Sequence, residues 1–490
     1  MSRNGDWGYV RYTEQPTGLG WGSLPTVGDL SDRLVELGGL ETLWVWFAWW
    51  CMLSTWRDPG VRAGNGERLS RGMGRAHCEE GRRVRVLEEV WGMGVVSSLT
   101  SKSKPIVLSG AEGRRIFFKE KNLHLYETFQ GLFASISSDL DPHQVSGIVR
   151  RMSGIQKPDT LQLLIPLLLS DCQKKMDSWG AQAILDPSSA FHEIAFQMVM
   201  RPASFDIAED PALLSRLKPL IDTIESPSSE SSWLPSISSF RKVSASARIY
   251  GIIQRQVHNR KSSGSRRRDA LQQMLDDGES TVHIFGFMLG LSLAGARAMG
   301  TTVTWLIMYL ASDPHWSAAI QNEIETLISA HAVSPSQTLT ETLSSIPLQA
   351  WETQLPMLDL CIRETLRIAQ PYTAVRKNVG PEFTVGPYTI PSGASVVYPF
   401  SDTSINPQDY PNPMRWDPSR AFQGQFIGWG AGKHACKGQR LGTLSMKLLV
   451  ASVLLRYRIT LEMQGPPVPD WSSTACRPME KGGIQITAQS

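Results

Sequence analysis

The chain has 490 residues, 41% hydrophobic and 19% charged, which is ample for a large buried core and ordinary for a folded protein. A net charge of +3 gives no reason to expect a nucleic-acid partner. Six scattered cysteines (Cys51, Cys78, Cys172, Cys361, Cys436, Cys476) form no Cys-x-x-Cys pair, which argues against a disulfide framework or a zinc site and for a reducing compartment.

Eight of the sixteen tryptophans fall in the first 91 residues, five of them between Trp44 and Trp56. Residues 43–56 carry no charge. As a helix they reach roughly 21 Å, short of the ~30 Å hydrocarbon core of a bilayer. Tryptophan favours the membrane interface, so residues 1–56 are expected to be an N-terminal segment with a membrane anchor at 43–56. Residues 57–88 are expected to be a basic Gly/Arg-rich linker, with eight arginines against four acids between 57 and 86. Arginine directly after an apolar segment suits the cytoplasmic side of a membrane.

From 89 to 490 the pattern is that of one catalytic domain. Ile106-Val107-Leu108, bounded by Pro105 and Gly110, reads as a strand. Residues 160–179 and 189–200 repeat apolar side chains at three- and four-residue spacing and read as helices. Residues 226–239 are Ser/Pro-rich and 261–269 basic and polar; both read as loops. His283 to Ala311, ended by Asp313-Pro314, is a long apolar helix of ~44 Å, placed in the core because it carries Arg297. Short strands follow at 383–385 and 395–398, then a proline-rich meander, then a helix from Gln439 to Tyr457. The fold class is mainly α with a minor β-sheet.

The chemistry concentrates in residues 426–442, FIGWGAGKHACKGQRLG, a glycine-rich loop opening into a helix. Gly430 and Gly432 permit tight turns, and Gly438 lets the helix start approach a flat partner. Cys436 sits near a helix N-terminus, where dipole and free amides favour a thiolate, with Lys433 and His434 beside it.

The spacing Trp429-Gly430-x-Gly432-x-His434-x-Cys436-x-Gly438 resembles the haem-binding loop of cytochromes P450, with tryptophan where that family more often has phenylalanine. Glu364-x-x-Arg367 resembles the family's K-helix pair, and residues 413–420 its meander, so that Arg420 would complete a buried Glu-Arg-Arg triad. Arg114 to Phe118 is similar to a stretch of fungal members. The resemblance implies a cytochrome P450 fold binding haem b, with Cys436 as axial iron ligand and Arg376 and His434 on the propionates. The family's Trp-x-x-x-Arg propionate donor has no match; Arg150 and Arg151 are the candidates to replace it.

The main departure lies in the long helix. Where oxygen-activating members carry Ala/Gly-Gly-x-Asp/Glu-Thr, this chain has Ala294-Gly295-Ala296-Arg297-Ala298. Gly295 matches and is expected to let the backbone approach haem and oxygen; Thr301 and Thr302, one turn on, are candidates to organise water there. The resemblance implies a monooxygenase using dioxygen on an apolar small-molecule substrate in secondary metabolism. Its electrons would come from NADPH through a separate NADPH-cytochrome P450 reductase docking on Lys433, Lys437 and Arg440. It also implies membrane association at the endoplasmic reticulum with the catalytic domain in the cytoplasm. Arg297 and Ala298 keep two rivals open: a reductase-independent isomerase or dehydratase, and a non-catalytic haem protein.

Overall fold

The computed structural model describes residues 83–86, 105–125, 150–226, 237–332, 334, 336–369, 373–420, 426–463, 465–470, 477–478 and 482–489. All of these belong to the unit Glu79–Ser490. The anchor expected at 43–56 and most of the linker lie outside the described residues.

Five strands form a mixed sheet. Strands β1 (Arg83–Val86), β2 (Ile106–Ser109), β3 (Leu123–His124), β5 (Thr373–Asn378) and β8 (Ser395–Pro399) run in the order β1-β2-β8-β5-β3. Only β2 and β8 are parallel. β1 falls inside the stretch read as linker; its Arg-Val-Arg-Val alternation is a strand pattern, and its register sets Val84 against Leu108. Helix α1 (Gly110–Lys119) packs on β2 and β8, and a second apolar cluster of Leu108, Phe117, Leu123, Val396 and Tyr398 joins them. Strand β4 (Gln182–Leu185), with β12 (Ile484–Ala488) and β9 (Tyr457–Leu461), forms a separate three-stranded sheet. β6 (Phe383–Val385) with β7 (Tyr388–Ile390), and β10 (Pro469–Asp470) with β11 (Arg477–Pro478), are two-stranded.

The main core is helical. Helices α2 (Pro158–Asp177), α3 (Pro187–Ala203), α7 (Arg297–Ser312) and α11 (Gln439–Arg456) pack against one another, with α10 (Pro356–Ala369) on α7. Their starts follow capping rules. The Asp186 carboxylate accepts from Ser189 N–H ahead of Pro187, and that of Asp313 from His315 and Trp316 N–H ahead of Pro314, where α8 (Pro314–His331) begins. Helices α4 (Pro211–Glu225) and α5 (Ile237–Ser263) pack on each other and border this bundle, and α9 (Leu348–Thr353) touches α2 and α11.

The long apolar helix runs from α6 (Thr281–Leu291) through a π-helical turn, Ser292–Ala296, into α7. Among the described residues this 281–312 stretch is the one helix long and apolar enough to cross a membrane. Its Phe285, Phe287, Val303, Trp305 and Leu306 nevertheless lie in the main core, as a core helix requires. The extra residue of a π-turn widens the helix locally, a device that concentrates at functional sites. It falls on the Ala294-Gly295 segment that departs least from the resemblance.

Candidate active site

The glycine-rich loop is built by its backbone. Gly430 and Gly432 lie in the left-handed region, at φ +71° and +65°. The Gly430 N–H donates to Ile427 O at 2.7 Å, and the Cys436 N–H folds back to Trp429 O at 2.8 Å. A Cβ on Gly432 would sit 2.3 Å from Phe118 O, so the loop rests directly on the end of α1. Trp429 lies over Gly442 of α11, where an added Cβ would come within 3.4 Å of the indole.

Cys436 is accessible, and the Gly438 backbone amide favours its thiolate. The surrounding loop removes enough hydration to raise the thiol above its ordinary pKa, while the Gly438 amide and the Lys437 charge pull it down. A Cβ on Gly438 would meet only Met152 Cε at 3.4 Å and Cys436 Sγ at 3.9 Å. Protein contacts alone therefore do not demand glycine there; its effect is to keep one side of the sulfur clear for a flat group.

Beside this loop four basic side chains converge. Arg376 on β5 is buried, its guanidinium 5.0 Å over the Phe117 ring and donating to Val375 O at 2.8 Å. Lys433 donates to Lys121 O, and His434 Nε2 lies 3.3 Å from Leu123 O. Burial, then the charges of Arg376 and Lys433 and finally His124, push His434 down to about 4; burial and Arg376 also lower Lys433. Basic groups that disfavour one another's charged forms are a setting into which a bound anion would fit. Carboxylates carried by a flat cofactor lying over Cys436 fit both that charge and the cleared sulfur, so the residues present suit a haem.

The triad is formed. Arg367 donates to Glu364 at 2.8 and 2.7 Å and to Ser404 O and Pro413 O at 2.7 Å each, while Arg420 Nε reaches Glu364 at 3.4 Å. Trp416 of the meander donates to Thr365 Oγ1 at 3.0 Å and stacks on Tyr309 of α7 at 5.1 Å, tying the meander to the central helix.

Three expectations change in detail. Arg151 is buried and committed to Glu279 at 2.7 Å and Asp277 at 2.9 Å, which removes it as a propionate donor. Arg440 is paired with Glu352 and donates to Gln156 O at 3.0 Å. Of the three basic residues expected to dock a partner, Lys437 alone carries neither hydrogen bond nor ion pair with the described residues. A cavity of about 430 Å³ borders Cys436 and Lys437 on this side, but its other charges are already paired, Lys447 with Asp359 at 2.8 Å and Arg440 with Glu352.

On the central helix, residues 284–289 and 299–310 are buried, whereas Ala294 is exposed and Leu293, Gly295, Arg297 and Ala298 are partly so. The π-turn is therefore the accessible wall of the central helix. Gly295 sits against α3, where an added Cβ would lie 3.3 Å from Val199. Gly300, which the sequence reading passed over, allows the closest helix contact: its Cβ would lie 2.7 Å from the His192 ring and 3.1 Å from His192 Cα. The only sequence signal was one more glycine inside the long helix, after Gly286, Gly290 and Gly295, costly there without a packing reason. Thr301 and Thr302 are buried rather than lining the accessible wall. Thr301 Oγ1 lies 3.3 Å from His192 Nε2; Thr302 donates to Ala298 O at 2.8 Å. His192 Nδ1, 2.8 Å from Ser188 O, must carry its proton, and burial lowers the ring's proton affinity, so neutral Nε2 accepts from the Thr301 hydroxyl.

The family model for cytochrome P450 matches residues 231–484. Cytochrome P450 monooxygenase AacuE of Aspergillus aculeatus is 28% identical over 404 residues, covering 74% of this chain and 79% of its own. Cytochrome P450 monooxygenase nsrP of Aspergillus novofumigatus is 26% identical over 400 residues, covering 75% and 74%. A solved structure, retinoic acid-bound cyanobacterial CYP120A1, shares the fold at 18% identity with a TM-score of 0.62, over 78% of this chain and 89% of that one.

Proposed function

Because the chain belongs to the cytochrome P450 family and is a monooxygenase-type oxidoreductase, we propose that Cys436 is the axial thiolate of a haem b serving a fungal-type monooxygenase. The observation that carries this reading is the loop itself: two left-handed glycines and the Cys436 N–H returned to Trp429 O. When bound, haem supplies the activation of dioxygen with two electrons and the insertion of one oxygen atom into substrate. Cys436 would hold the haem iron and supply electron density to it, and the Gly438 amide, which favours the thiolate, would temper that donation. Arg376 and His434 hold the carboxylates, Trp429 braces the loop on α11, and Gly430 and Gly432 give it its shape. Gly295 lets the π-turn segment nest against α3 while its other side borders the accessible wall; Thr301 and Thr302 position α7 at that wall.

The substrate is read as an apolar small molecule of secondary metabolism. Electrons are read as coming from NADPH through a separate NADPH-cytochrome P450 reductase approaching Lys437. Residues 43–56 are read as the anchor to the endoplasmic reticulum membrane. Cys436→Ser tests the ligand: the reduced carbon monoxide band of the wild type should disappear, and a variant that kept it would overturn the assignment. A second reading is favoured by Arg297, Ala298 and the burial of Thr301 and Thr302, which together leave no acid-alcohol pair at the wall. A reductase-independent isomerase or dehydratase needs none, and full turnover without NADPH and reductase would select it.

A further inference from the structure

Arg297 opens α7 directly after the π-turn, on the stretch of the central helix that is not buried. Its neighbours Ala294, Gly295 and Ala298 reach no further than Cβ. It makes no side-chain hydrogen bond or ion pair with the described residues. Two helices face it. His192 on α3 is held neutral by burial, and Arg297 adds to that effect. Glu225 ends α4, and burial raises its carboxyl pKa while Arg297 lowers it. The remaining charges on that face of α4, Lys218 and Asp222, bond one another at 2.8 Å. Arg297 is thus a partly dehydrated cation that pairs with no carboxylate among the described residues.

Leaving such a group unpaired is costly, and the fork of a guanidinium matches a carboxylate with two parallel hydrogen bonds. The hydroxyls of Thr301 and Thr302 are engaged elsewhere, so among the described residues of this wall Arg297 is the side chain left to recognise a polar group. We propose that Arg297 is a specificity-determining residue that anchors a carboxylate carried by an otherwise apolar substrate. The assignment rests on the monooxygenase reading above and adds the substrate's chemical class to it.

The test uses full-length, haem-loaded protein with dodecanoic acid, anthracene carboxylic acid and their methyl esters, binding being read by difference spectra and equilibrium dialysis. The wild type should hold at least one acid about tenfold or more tighter than its ester, as a charge-assisted hydrogen bond to a dehydrated partner predicts. Arg297→Leu should erase that preference, and Glu225→Gln, by removing the competing carboxylate, should tighten the acid. Equal or ester-favouring binding by the wild type, no acid bound at all, or an acid preference surviving in Arg297→Leu would each overturn the proposal. If Arg297→Leu cannot be loaded with haem, Glu225→Gln decides alone, and unchanged or weaker acid binding overturns it. The reduced carbon monoxide spectrum of the wild type is recorded first. Its absence sinks the haem reading, whereas its presence with no acid preference sinks only the anchor.

Discussion

Arg367→Met should be among the most damaging single changes in the catalytic domain. The guanidinium makes five hydrogen bonds: two to Glu364 and one each to Ser404 O, Pro413 O and Arg415 O. Glu364 and Arg367 are both essentially inaccessible to solvent. Removing Arg367 leaves Glu364 with the Asp417 N–H at 3.1 Å and the long Arg420 contact at 3.4 Å, and strips three carbonyls of a donor. Breaking a buried pair from one side costs about 3–5 kcal/mol, against a total stability of ~5–15 kcal/mol. Arg420→Met removes a longer contact to the same carboxylate and should cost about 1–2 kcal/mol. Urea unfolding followed by tryptophan fluorescence, checked by the half-life of the haem band on warming, ranks the variants. The double change Glu364→Leu with Arg367→Leu should be milder than Arg367→Leu alone, because it strands no charge. An Arg367→Met protein within about 0.5 kcal/mol of wild type, the ordinary range for surface changes, would refute this account of the triad.

Gly432→Ala should abolish haem loading, since it demands both a left-handed alanine and a Cβ 2.3 Å from Phe118 O; Gly386→Ala, also left-handed but with nothing within 4 Å, should cost only about 1 kcal/mol. Purified haem content of the two variants checks the contrast. His192 has a folded pKa below its unfolded 6.5, so the unfolded chain takes up the proton first. Its contribution is therefore intact above pH 6.5 and stability falls as pH drops below it; unfolding measured across that range should show a shallower decline in His192→Gln. Lys437→Glu should slow reduction of the haem by reductase while leaving stability within about 0.5 kcal/mol, whereas Arg440→Glu should lower stability by breaking its pair with Glu352. Stopped-flow reduction beside urea melts separates the two, and equal reduction rates for wild type and Lys437→Glu would refute docking at Lys437.

Local order was legible in the chain because it is written locally. The Asp313-Pro314 break, the apolar spacing of 160–179 and 189–200, and the Gly-x-Gly turn before Cys436 each depend on residues within a few positions, and each lies where expected. The spacing of Glu364, Arg367 and Arg420 also sufficed, since two lie on one helix turn and the third follows in a meander of recognisable wording. What residues share across space was not legible. That Arg440 spends its charge on Glu352 and Arg151 on Glu279 depends on which helices become neighbours, as does the burial of Thr301 against His192. Nor does any window of sequence show that Gly300, rather than Gly295, carries the tightest helix contact, because that is set by a side chain more than a hundred residues away. The sequence determined the loop around Cys436; only the packing of α3, α4 and α7 decided that Arg297 would stay partly accessible without a partner among the described residues.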